Sequence, residues 1–139
     1  MGLVLDTNVL IRAERGVGTE GKMLDFTPWA DEGNAYISTI TASELLVGVH
    51  RAESKARRLK RSAFVESILA AIPVLDFTLE TARVHAEIKA ALYVLGQTLG
   101  ANDLIIAATA LSSGHAVLTT DVDDFVRVPG LRVIPFELP

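Results

Sequence analysis

Leu3-Val4-Leu5-Asp6-Thr7-Asn8-Val9-Leu10-Ile11 begins with three apolar residues, breaks at Asp-Thr-Asn, and resumes with helix-compatible residues that continue through Ala13 towards Gly16. The segment predicts a short buried strand that passes through one acid directly into a helix. The same grammar recurs along the chain. Ala35-Tyr36-Ile37-Ser38 predicts a second strand, and Thr41-Ala42-Ser43-Glu44 opens a helix running to about Ala52. Ser54 caps a long helix through Ile72, which Pro73 ends before a third strand at Val74-Leu75. Thr78 caps another helix, with Leu79, Ala82, Ala86, Ala90 and Tyr93 on one stripe expected to face the core, ending near Gly96. Asn102-Asp103 starts a helix that is apolar nearly all round until Gly114, so it is expected to be central. Ala116 to Thr119 is the next strand, Thr120 to Phe125 a polar turn or short helix, and Leu131 to Ile134 the last strand. A helix over about Glu20 to Glu32, interrupted by Thr27 and Pro28, follows a loop at Gly16, Gly18 and Gly21.

Short apolar strands alternating with helices predict an α/β fold: a three-layer α/β/α sandwich around a mostly parallel sheet, because parallel crossovers lay helices on both faces and bury the strands. The 139 residues suit one domain, 1–139, without repeats or linkers. Half the residues are hydrophobic and 22% are charged, which excludes a disordered chain. Zero cysteines exclude a disulfide framework, thiolate metal ligands and a Cys nucleophile. Without a long apolar run or a basic N-terminal flank, neither a membrane span nor a secretory signal is expected, and a cytoplasmic location is the simplest reading.

In open α/β sheets, ligands bind beyond the carboxyl ends of the strands. Asp6 and Asp121 follow two strands directly, and Asp103 and Glu44 lie in the first turns of two helices. Each acid has an ordinary structural explanation. Asp6 could cap a helix, Thr41 and Glu44 have capping-box spacing, Asp103 suits a helix dipole, and Asp121 suits a turn. Four acids at one end of a sheet nevertheless favour a cluster over unrelated caps. Clustered carboxylates raise one another's pKa and attract a cation, and oxygen ligands suit a hard ion such as Mg²⁺, with Mn²⁺ as a substitute. His50, His85 and His115 lack paired ligand spacing and read as structural or solvent-facing, which argues against zinc. An ion held by carboxylates suits phosphodiester hydrolysis.

The overall net charge is −4, yet six of the 13 basic residues lie between Arg51 and Arg61, beside the single acid Glu53. Arg51, Lys55 and Arg58 are therefore candidates for contact with a nucleic-acid backbone, although a solvated helix face gives the same pattern. No P-loop, dinucleotide fingerprint or nucleophile elbow is present. A phosphoaspartate enzyme would want a second acid where Asn8 stands.

Four motifs in order, Leu5-Asp6-Thr7-Asn8, Ile40 to Leu45, Asn102 to Ala110, and Leu118 to Asp121 with Asp124-Phe125, resemble the PIN domains, and within them the VapC-type toxins of bacterial toxin–antitoxin pairs. Pro129-Gly130-Leu131 is similar to that family's ending. The resemblance spans essentially the whole chain. It implies a Mg²⁺-dependent endoribonuclease with Asp6 and Asp103 as principal metal ligands. Glu44 and Asp121 would complete the catalytic and metal pocket, with Asp124 in reserve for Asp121, and Thr7, Asn8 and Thr120 would support the acids by hydrogen bonding. It further implies hydrolysis to 5′-phosphate and 3′-hydroxyl ends, a homodimer, and a VapB-type antitoxin that covers the acids, giving a heterotetramer or larger assembly. The competing reading is a non-catalytic protein of the same fold that binds a metal or a partner.

Overall fold

The computed structural model describes residues 1–17 and 27–137. Five strands form one sheet: β1 Leu3–Leu5, β2 Ala35–Ser38, β3 Val74–Leu75, β4 Ala116–Thr119 and β5 Val133–Pro135. Their order is β3-β2-β1-β4-β5, and every pairing is parallel. Among the described residues six α-helices connect them: α1 Thr7–Val17, α2 Thr39–His50, α3 Lys55–Ala71, α4 Leu79–Val94, α5 Ala101–Ser112 and the single turn α6 Val122–Phe125. Successive side chains of a strand point to opposite faces, so β1 and β4 feed two cores. Leu3, Leu5, Ala116 and Leu118 pack with α1, α2 and α3, while Val4 and Val117 pack with α4, α5 and Phe125 of α6. All three layers of the expected sandwich are present, and α5 carries six buried residues.

The expected helix over Glu20 to Glu32 lies partly outside the described residues; within them, Thr27–Glu32 is a 3₁₀ helix. Trp29 from that turn stacks on Phe136, with ring centroids 4.9 Å apart. Gly33 leaves the turn at φ +101°, a left-handed conformation in which a side chain would also strike the Met1 carbonyl. The last strand starts at Val133 rather than Leu131, because the Leu131 N–H is held in a turn by the Val128 carbonyl. Pro135 is tolerated there since β5 is an edge strand.

The stripe expected to bury α4 is corrected by the structure. Thr81, Ile88 and Leu92 face the core, whereas Leu79 and Tyr93 are 69% and 84% exposed and Ala86 and Ala90 are also exposed. Alanine fits either face of a helix, so an Ala-rich stripe does not identify the inner side. Among the apolar residues of α1 and α2, Leu10 and Val49 are core and Val47 is exposed. Among the described residues, no helix is long and apolar enough to cross a membrane.

Candidate active site

The strand order reverses between β1 and β4: the chain builds outward from β1 through β2 to β3 on one side, and through β4 to β5 on the other. A crevice forms at the carboxyl end of such a switch point, where two loops diverge. Asp6 leaves β1 there, its N–H donating to the Leu118 carbonyl of β4 at 2.9 Å. It is 2% exposed. The Thr119 hydroxyl donates to Asp6 Oδ2 at 2.8 Å and accepts the Asp121 backbone N–H at 2.8 Å. One hydroxyl thus joins two of the four acids.

Glu44 reaches the same place from α2. The alternative reading of Glu44 as half of a capping box does not hold: α2 begins at Thr39, the cap is Ser38, and Ser38 Oγ accepts the Thr41 N–H. Glu44 consequently falls in the second turn, and its Oε1 accepts from the Thr7 hydroxyl at 2.9 Å. The hydroxyls of Ser38, Thr41 and Thr7 follow one another at 3.2 and 3.0 Å, a buried chain that ends on Glu44. Asp121 precedes α6 but makes no side-chain capping bond; its Oδ2 accepts from Asn8 Nδ2 at 2.9 Å. Asp103 lies in the first turn of α5, as expected.

The charges register one another. Asp103 is pushed up to about 6, first by burial and then by the negative charges of Asp6, Asp121, Asp124 and Glu44. Asp6 is raised as well, chiefly by burial, with Asp121 and Glu44 adding repulsion and the bonds from Thr119 and the Thr7 backbone opposing it. Among the described residues, the side chains that bond Asp6, Glu44 and Asp121 are neutral, so this excess of negative charge is uncompensated. No three His, Cys, Asp or Glu side chains among the described residues are already drawn together as a metal cage. What suits a hard cation is the donor set, which is all oxygen, crowded and mutually repelling.

Thr7 and Asn8 donate to Glu44 and Asp121 respectively. The hydroxyl between Asp6 and Asp121 belongs to Thr119, one residue before the expected Thr120. Thr120 instead lines a small open hollow with Asp121, Val122, Asp123 and Asp124. Asp124 also approaches Arg127 at 3.5 Å. Thr119, Thr41 and Ser38 were missed, and their signal was a hydroxyl at the carboxyl end of an apolar strand or just beyond it. Arg51, Lys55 and Arg58 are exposed. The basic residues that share a cleft with Glu44 are their neighbours Arg57, Lys60 and Arg61. His115 is structural, its Nδ1 accepting the Gly2 N–H at 2.9 Å and its ring stacked on Tyr36.

Comparison with known proteins places the chain. The PIN domain family model matches residues 3–131. Ribonuclease VapC1 of Rickettsia felis is 40% identical over 135 residues, covering 96% of each chain. The tRNA(fMet)-specific endonuclease VapC of Salmonella typhimurium is 35% identical over 97 residues, covering 70% of this chain and 71% of that one. Among solved structures, DNA-bound VapBC from Salmonella typhimurium superposes with a TM-score of 0.83 at 27% identity, covering 97% of this chain and 98% of that one. VapBC2 from Rickettsia felis bound to a promoter DNA fragment gives 0.85 at 23% identity, over 99% and 100% of the two chains, a likeness of fold.

Proposed function

Because this chain belongs to the PIN-domain family and, within it, to the VapC ribonucleases, we propose that it is an endoribonuclease toxin that hydrolyses RNA at the pocket of Asp6, Glu44, Asp103 and Asp121. The observation that carries the reading is the convergence of these acids on the switch point of the sheet, with neutral supporting donors and a raised Asp103. Asp6 and Asp103 would hold Mg²⁺, or Mn²⁺ in its place. When bound, the ion supplies Lewis acidity and neutralises charge for the attack of water on a phosphodiester. Glu44, anchored by Thr7, and Asp121, anchored by Asn8, orient that water and accept its proton. A bond forms from water oxygen to phosphorus as the P–O3′ bond breaks, and O3′ takes up a proton from solvent in place of the one given to the carboxylate, leaving 5′-phosphate and 3′-hydroxyl ends. Thr119 keeps Asp6 and Asp121 in register.

The solved relatives include VapBC-5 from Mycobacterium tuberculosis, a member of the VapBC family of toxin–antitoxin systems. A VapB-type antitoxin would inhibit by covering the acids and presenting a basic side chain to them. The exposed apolar stripe of α4 is a surface that a homodimer would bury. The test is incubation of total cellular RNA with antitoxin-free protein in Mg²⁺ or EDTA, beside Asp6→Asn, with the new 5′ ends mapped. Discrete metal-dependent cuts absent from the variant are expected. Well-folded protein that binds Mg²⁺ but makes no cuts would favour the non-catalytic reading.

A further inference from the structure

A cleft of about 540 Å³ opens between α1, α2 and α3, and Glu44 stands on its wall. Its other charged walls are Glu14 from α1 and Arg57, Lys60 and Arg61 from α3. The three basic residues lie at i, i+3 and i+4 and therefore share one helical face. Their situations differ. Arg61 is already engaged: Nε donates to Glu14 at 3.1 Å and Nη1 to the Gly48 carbonyl at 3.1 Å, a strut across three helices. Among the described residues Arg57 has only a loose pair with Glu53 at 3.7 Å, both side chains being more than 70% exposed. Such a pair contributes little and yields readily. Lys60 is exposed and has no hydrogen-bond or ion-pair partner among the described residues.

We infer that this cleft is a backbone-phosphate subsite, in which Lys60, seconded by Arg57, holds an RNA strand on its way to the acids. The inference rests on the ribonuclease reading above. A strand with one phosphate at the acidic pocket has further phosphates on either side, and a chain of net charge −4 repels them over much of its surface. The cleft offers cations beside Glu44, one of them without a partner among the described residues. Arg61 positions the helices and leaves phosphate contact to its neighbours.

The test compares wild type, Lys60→Ala, Arg57→Ala, the double variant, Lys60→Arg, and Arg83→Ala as a distant control on α4. RNA carrying a mapped cut site is the substrate, and a short labelled single-stranded RNA reports binding. The double variant is expected to raise KM on the order of tenfold with kcat little changed, and to flatten the dependence of log kcat/KM on log salt by about 0.7 per lost contact. Lys60→Arg should restore KM, and unfolding temperatures should stay level because both side chains are exposed. If wild type cuts RNA while the double variant keeps its KM and salt slope, the subsite is refuted and the ribonuclease reading stands. The same unchanged kinetics with loss of a co-expressed antitoxin would make the cleft a protein dock, which also refutes it. Wild type that neither cuts nor binds RNA would remove the underlying reading, and the subsite with it.

Discussion

Asp103 shows what a shared pocket does to a single carboxyl. In the unfolded chain it ionises near 3.8, and in the fold near 6. Between those values the folded state therefore holds the extra proton. The contribution of Asp103 to the stability of metal-free protein is most favourable below 3.8, falls as pH rises through the window, and is least favourable above about 6. Asp103→Asn is expected to stabilise the EDTA-treated protein at neutral pH by a few degrees while abolishing cleavage. The gain should vanish in acid, and melting curves across the window would show it. A difference between variant and wild type that did not change with pH would contradict this account. Thr119 is the second residue with more than one task. Thr119→Val keeps shape but strips Asp6 of a donor and leaves the Asp121 N–H without its acceptor, so a loss of about 1–3 kcal/mol is expected. Cleavage and Mg²⁺ affinity should fall, and Thr119→Ser should recover both.

At the scale of elements, α2 illustrates how a cap and a site share atoms. Ser38 ends β2, caps α2 through the Thr41 N–H, and begins the hydroxyl chain that reaches Glu44 by way of Thr41 and Thr7. Ser38→Ala is expected to lower stability by about 1 kcal/mol, measurable by denaturant unfolding, with a separate loss of kcat as Glu44 loosens. At the opposite end of β1 and β4, His115 joins the first residues of the chain to the sheet. Burial, and then the positive N-terminus, hold its pKa below the usual 6.5, so the fold prefers the neutral ring. Its stabilisation is complete above 6.5 and is lost as pH falls towards the lowered value. An NMR titration of the imidazole should place its midpoint below 6.5.

For the molecule as a whole, the exposed face of α4 is the surface that chain burial leaves unsettled. Leu79, Ala86, Ala90 and Tyr93 form an apolar stripe facing solvent on the single chain. If the proposed homodimer uses it, Tyr93→Glu should give monomers by sedimentation while the unfolding temperature of the subunit changes little. A variant that remains dimeric would place the interface elsewhere.

Periodicity and punctuation were enough to read the alternating strands and helices, the parallel sheet and the placement of Asp6, Asp103 and Asp121, because each follows from short-range rules. A continuous apolar run must be buried, and an acid following it must emerge at the strand's carboxyl end. Long-range pairing lay beyond those rules. That Glu44 answers to Thr7, that Thr119 rather than Thr120 joins two acids, and that Lys60 shares a cleft with Glu44 depend on how helices distant in sequence cross the sheet. The α4 stripe was misassigned for the same reason. Helical spacing places residues on a common face, whereas the neighbours packed against the helix determine which face is inside.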